Sequence, residues 1–382
     1  MSPRAVREYL DALRPRYGLA KKATQGRLLD EAERVTGYTR KALIRLFNRR
    51  ASGPGVRRGR PRQYGNAVAT AVQQLWVASR HLCSKRLGPF LPELLTVLER
   101  HGELQVSDRV RRRLQTISPA TIDRVLQPHR RRHGRHPLLL NPATATLRRQ
   151  IPVRTFGDWQ QVRPGAVQVD LVAHCGETTA GFYLCTLIVV DVATGWTECE
   201  ALWGKAFGRI GAALHLVRQR FPVPLRELHT DNGGEFLNHL IVPWCRHEGI
   251  GLTRGRPYRK NDQAYAEQKI WTHVRRVVGY DRYGSEAAYA HLTRFYPVLN
   301  LYTNFFQPLR KLRHKHRRGA QIIKQFEPAR TPYQRLRDSG ALTPDAARLL
   351  ADRYKSLNPL ALRRTIEETL TALWKCADRS GG

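Results

Sequence analysis

Between residues 24 and 48, TQGRLLDEAERVTGYTRKALIRLFN, apolar Leu28, Leu29, Ala32 and Val35 recur at helical spacing. Gly37 interrupts the pattern, and Thr39 can cap a second helix that turns Ala42, Leu43, Leu46 and Phe47 inward. Two short helices around a glycine turn predict a helix-turn-helix, with an ordinary helical hairpin as the plainer alternative. Residues 51–65, ASGPGVRRGRPRQYG, hold almost no apolar position and read as a linker. Helical periodicity returns over 67–128 and ends in SPATIDRVLQPHRRR, where Ser118 before Pro119 is a strong helix start. From 161 the character changes to strands: QVDLVAH (168–174), FYLCTLIVVDV (182–192) and the alternating WTECEALW (196–203). A helix over about 206–221, the strand RELHTDN, a helix near 235–249, a short strand at GLTRG and a long helix over about 262–279 follow. The order β-β-β-α-β-α-β-α predicts a mixed α/β sheet whose second half needs crossover connections.

Charge sharpens this picture. The 382 residues carry 66 Lys+Arg against 31 Asp+Glu, a formal net charge of +35. Residues 1–150 hold 32 Lys+Arg and 10 Asp+Glu, so +22 of that excess lies in the first helical segments. Such self-repulsion points to a polyanionic partner, and nucleic acid is the expected one. Arg40 and Lys41 open the second helix of the first pair and Arg45 follows, as a helix lying in a phosphate-lined groove needs. Thr121 and Arg124 take the equivalent place in the helix that begins at Pro119. In the linker, Arg58-Gly59-Arg60-Pro61-Arg62 has the form of an AT-hook core, thin enough for a narrow A·T minor groove. A plain basic linker touching phosphates is the alternative. No stretch approaches the roughly 20 apolar residues of a membrane span. The six cysteines are scattered without a CxxC pair, which suggests neither a zinc knuckle nor a disulfide framework. A bacterial, nucleoid-associated cytoplasmic protein is expected.

Three acidic residues stand out by position. Asp170 lies mid-strand in VQVDLV, Asp231 ends ELHTD before Asn-Gly-Gly, and Glu267 lies early in the helix NDQAYAEQKIWTHVRRV. A charge in an apolar strand is costly unless it is paired or bound to a metal. A strand-end Asp before a Gly turn faces the carboxyl edge of the sheet, where α/β proteins place their sites. If the helix crosses that edge, three carboxylates converge, and hard divalent cations with oxygen ligands, Mg²⁺ or Mn²⁺, resolve their repulsion. Two such ions, roughly 3.5–4 Å apart, suit in-line phosphoryl transfer. Asp191, before Thr194-Gly195, reads as a turn residue, and Asp262 as a cap of the helix that carries Glu267.

Sixty residues separate Asp170 from Asp231, and 35 separate Asp231 from Glu267. With the strings HTDNGGEF and RPYRKNDQAYAEQK, this spacing resembles the integrase core of retroviral integrases and DDE transposases, most of all that of bacterial insertion-sequence transposases. The resemblance covers about 155–335. It implies an RNase H-like fold with Asp170, Asp231 and Glu267 as catalytic metal ligands for two ions. It also places Gln263 near a terminal nucleotide, on the same helical face as Glu267. Retroviral cores carry Lys four and seven residues after the Glu, where this chain has Trp271 and Val274; Lys269, Arg275 and Arg276 supply charge instead. Lys269 and Arg275 are therefore candidate DNA contacts.

The expected organisation is α/β: an RNase H-like mixed-sheet core preceded by all-α helix-turn-helix domains. Its segments are a helix-turn-helix at 1–50, a basic linker at 51–66, a second helical DNA-binding domain at 67–136, a linker at 137–160, the catalytic core at 161–308, and a basic extension with two helices at 309–382. The implied activity is cleavage at transposable-element ends and transfer of the 3′-hydroxyl into target DNA. Its partners are double-stranded DNA and a second copy of the chain, as a dimer or a higher oligomer. A catalytically silent DNA-binding regulator and an RNase H-like nuclease that makes no joined product are the alternatives.

Overall fold

The computed structural model describes residues 2–48, 64–129, 162–231, 236, 241–256, 260–318 and 321–378. The chain divides into two compact units, 1–63 and 64–382.

The first unit holds three helices, α1 (Pro3–Leu19), α2 (Lys22–Thr36) and α3 (Arg40–Asn48). Ser2 caps α1 by accepting from the Ala5 N–H, with Pro3 at the first helical position. Val6, Leu10, Leu13 and Tyr17, spaced three and four apart, form the buried stripe of α1. They meet Leu28, Leu29 and Ala32 of α2 and Leu43 and Phe47 of α3, and Tyr17 stacks on Phe47 at 4.8 Å. Gly37 ends α2 at φ +72°, a left-handed turn suited to glycine. The expected helix pair is thus two-thirds of a three-helix unit. Val35, expected inward, is 42% exposed in the last turn of α2.

In the second unit, a five-stranded sheet runs in the order β3-β2-β1-β4-β5. Its strands are β1 (Ala166–Ala173), β2 (Cys185–Asp191), β3 (Thr197–Leu202), β4 (Glu227–Thr230) and β5 (Gly251–Arg254). β1, β2 and β3 pair antiparallel, while β4 joins β1 and β5 joins β4 in parallel. Every residue of β2 is buried, which its unbroken apolar run foreshadows. The helix α8 (Phe207–Arg220) makes the crossover from β3 to β4, and α9 (Ile241–His247) lies between β4 and β5.

The free edge of β3 is sealed by a helix. Asn300 and Asn304, one turn apart on α11 (Glu286–Phe306), each bond one N–H and one carbonyl of the strand. Asn304 pairs with Thr197 at 2.9 and 2.9 Å, and Asn300 with Cys199 at 3.0 and 3.1 Å. An edge so occupied offers no template for another strand.

Four helices precede the sheet: α4 (Asn66–Ala78), α5 (Ser84–Arg100), α6 (Asp108–Thr116) and α7 (Pro119–Leu126). A two-residue turn joins α6 to α7, and Ser118 caps α7 by accepting from the Thr121 N–H. The second helical segment does not stand apart from the core. Its apolar residues share one buried cluster with the sheet, and the Tyr302 hydroxyl donates to the Ala78 carbonyl at 2.6 Å. α12 (Pro332–Arg337), α13 (Pro344–Ser356) and α14 (Pro359–Lys375) complete the unit. The Tyr354 hydroxyl of α13 donates to Glu93 of α5 at 2.6 Å, and Ile366, Leu370 and Leu373 of α14 join the same cluster. The basic run forms the β6 strand (Leu312–Arg318), paired antiparallel with β7 (Gln321–Phe326). No helix among the described residues is long and apolar enough to cross a membrane.

Candidate active site

The parallel register of β1 and β4 pairs Ala166 with Glu227, Val167 with Leu228 and Gln168 with His229. Continued two residues further, it sets Asp170 level with Asp231, on neighbouring strands spaced about 4.8 Å apart. Asp170 is half-buried and accepts from the Leu171 N–H at 2.8 Å; Asp231 is exposed just past the end of β4. The two aspartates therefore meet at the carboxyl end of β4 because two parallel strands carry them.

Glu267 reaches this region by a different device. It stands exposed in α10 (Ala264–Lys269), one residue after Ala266. The start of α10 is pinned to β1 by Gln168, which is wholly buried. The Gln168 Oε1 accepts from the Tyr265 and Ala266 N–H groups at 3.0 and 3.1 Å, and its Nε2 donates to the Asp262 carbonyl at 2.9 Å. Helix N-termini leave such N–H groups unsatisfied, so a strand glutamine does the work of a cap. Asp262, expected to be that cap, is instead gripped by Arg256, whose Nε and second guanidinium nitrogen donate at 2.8 and 2.9 Å. A bidentate carboxylate has no oxygen directed at the helix. Gln168 was missed by sequence reasoning, although alternation puts it on the strand face of Asp170.

Among the described residues, no three His, Cys, Asp or Glu side chains stand close enough together to hold one metal ion. The expected convergence of three carboxylates is therefore not closed in this arrangement. The donors themselves, carboxylate oxygens without thiolate or imidazole, have the chemistry of a hard-cation site.

The surrounding candidates separate. Gln263, expected at a DNA end, is 6% exposed, and its Nε2 donates to the Val169 carbonyl at 2.7 Å. It sits at the N-cap in a 3₁₀ turn (φ −111°, ψ 21°), so α-helical face counting from Glu267 does not apply to it. Lys269 points into the molecule rather than toward solvent: burial, aided by the charge of Arg86, pushes its pKa down to about 7. Arg275 is also engaged internally. It donates to the Ala173 carbonyl at 3.2 Å, lies 4.8 Å over the Tyr280 ring, and has its pKa lowered by burial. The helix turns π-helical over Ile270–Arg275, which rotates every side chain after Lys269 away from its α-helical position. Trp271 is 41% exposed and Val274 is buried. Asp191 is a turn residue as expected: its carboxylate accepts from the Thr194 N–H, the Thr194 hydroxyl and the Gly165 N–H, each at 2.7 Å. Burial raises its pKa.

Of the DNA-contact candidates in the helical segments, Lys41 and Arg45 are exposed on α3, whereas Arg40 is ion-paired with Asp30. Arg124 is exposed on α7 and donates to the Thr121 hydroxyl at 3.0 Å. Arg58, Arg60 and Arg62 lie outside the described residues.

Residues 161–260 match the family model of the integrase core domain. Over 336 residues the chain is 44% identical to the uncharacterized protein y4rM of Sinorhizobium fredii (strain NBRC 101917 / NGR234), covering 86% of this chain and 94% of that protein. Among solved structures it is similar to the catalytic core domain of BIV integrase, with 18% identity and a TM-score of 0.30, over 46% of this chain and 95% of the other.

Proposed function

The chain belongs to the integrase-core family that includes the y4rM protein, and on that premise we propose that it is a DNA transposase. It cleaves at the ends of a transposable element and transfers the resulting 3′-hydroxyl to a target phosphodiester. Asp170, Asp231 and Glu267 are the residues that would hold two Mg²⁺ or Mn²⁺ ions. Bound there, such ions activate the attacking oxygen and steady the leaving one. The protein's own part is positional. Parallel β1 and β4 carry the two aspartates side by side, and Gln168 keeps the start of α10 against β1. No Ser or Tyr nucleophile is involved, so no covalent enzyme–DNA intermediate forms.

The observation that carries this reading is the β1–β4 register, which brings Asp170 and Asp231 together at a sheet edge next to the pinned helix of Glu267. Lys41 and Arg45 of α3 and Arg124 of α7 contact the duplex, and at least a dimer forms, since an element has two ends. The test is the product. A labelled element end incubated with plasmid and Mg²⁺ should yield label covalently joined to plasmid. Nicked or shortened label without joined product would replace the transposase with an RNase H-like nuclease.

A further inference from the structure

The turn that joins α4 to α5 is strained in a particular way. Arg80 and His81 both adopt left-handed backbone, at φ 52° and 62°. Neither has glycine's freedom there, and two such residues in succession persist only where the surroundings enforce them. The surroundings do so on three consecutive carbonyls. Val77 accepts from the Arg363 guanidinium, Ala78 from the Tyr302 hydroxyl at 2.6 Å, and Ser79 from the Gln307 amide at 2.9 Å. α14 and the end of α11 thus hold a turn that glycine would form without cost.

What the strained turn presents is a cation. The Arg80 side chain is half-buried and makes no hydrogen bond or ion pair among the described residues. Across the seam lies the π-helical stretch that follows α10. His273 there is 5% exposed; its Nδ1 meets the Thr272 hydroxyl at 2.8 Å, and its Nε2 has no partner among the described residues. His273 lies within electrostatic reach of Arg80, Arg86 and Lys269, and Arg276 within reach of both arginines. The Nε of Arg86 is fixed by the Pro308 carbonyl at 2.6 Å. The carboxylate acting on Arg80, Glu367, is already paired with Arg363 at 2.7 Å. Basic groups from two separate segments converge with little to neutralise them, around a buried donor that lacks an acceptor. Like charges gathered away from water repel strongly unless an anion sits among them.

We propose that this seam, between the α4–α5 turn and the helix following Glu267, is a phosphate-binding site in which Arg80, Arg86, Lys269 and His273 surround the oxygens of one phosphate group. Arg suits such oxygens because its planar fork donates two parallel hydrogen bonds. The site goes beyond the strand-transfer reading, and it uses none of the three carboxylates. A backbone phosphate of bound DNA and a free phosphate compound present the same chemistry to it.

Arg80→Gly tests the site, because glycine relieves the backbone at φ 52° while removing the guanidinium. Thermal unfolding of the full-length protein is followed with increasing inorganic phosphate or pyrophosphate, against chloride at matched ionic strength. Phosphate strengthens any fold by exclusion from its surface, so the readout is the difference between wild type and variant. The variant should unfold no earlier than wild type in chloride and should bind phosphate about tenfold or more weakly. The second arm is the salt dependence of duplex-DNA binding. A log–log slope smaller by about 0.9 in the variant identifies a DNA backbone phosphate as the source. Loss of the phosphate response with an unchanged slope identifies a free phosphate compound. Identical behaviour of variant and wild type in both arms overturns the site, as does a marked fall of the variant's midpoint in chloride. Lys269→Met provides the same readings in a second background. Wild type that binds no DNA at all would sink the strand-transfer reading, while the phosphate arm still decides this one.

Discussion

Gln168 holds the start of α10 through both ends of its amide, and it shows what a single neutral residue can contribute to a site of carboxylates. Replacing it by Leu keeps most of the volume but leaves two helix N–H groups and one carbonyl buried without their partner. At about 1–3 kcal/mol for each buried polar group left unsatisfied, Gln168→Leu should cost roughly 2–4 kcal/mol in urea unfolding. Displacement of Glu267 by about 1 Å should also lower strand joining by roughly 100-fold. Unfolding within experimental error of wild type would contradict this role. The carboxylates were legible in the sequence because a charge in an apolar strand is conspicuous. Gln168 was not, because a lone glutamine in VQVDLV carries no charge and its partner segment lies 94 or more residues away. Gln263 was misread for a related reason: its spacing from Glu267 implies a shared face only if both residues are α-helical.

At the scale of elements, the strands and the α8 crossover follow from apolar runs and their breaks, and the sequence reading places them within a few residues. The helix after Asp262 does not follow. A period of 3.6 extrapolated from Glu267 assigns Arg275 to the active face, but the chain passes from 3₁₀ to α to π within sixteen residues. No apolar pattern signals such a change, because each type of turn still buries about one side chain in three or four. The asparagines of α11 were equally silent. Asn300 and Asn304 look like polar positions on an exposed helix face, yet both are buried against the edge of β3. Asn304→Leu, similar in volume, should remove both bonds to Thr197 and destabilise the protein by about 2–4 kcal/mol. Equilibrium urea unfolding measures this directly, and a change below about 0.5 kcal/mol would show that water replaces the amide without loss.

Over the whole molecule, charge and architecture point the same way. Residues 1–63 form a unit with its own core and hold 17 Lys+Arg against 5 Asp+Glu. The second helical segment was expected to be an independent domain, since amphipathic helices announce a buried face but not the surface that covers it. Here that surface includes α11 and α14 of the unit that carries the sheet. A cut after residue 136 would therefore strip α4–α7 from its own core, whereas the division at 63 leaves each unit's core whole. Duplex binding by the basic helices and chemistry at the sheet edge are thus separable functions of one chain, and the central claim rests on that separation. The measurement that tests it most directly is joining of a labelled element end to plasmid by Asp170→Asn, Asp231→Asn and Glu267→Gln proteins, alongside a gel shift with the same end. Each substitution keeps the side-chain shape and removes one negative charge, so each should abolish joining nearly as completely as all three together, with end binding intact. Substantial joining by the Glu267→Gln protein, or full wild-type activity in EDTA, would contradict the account.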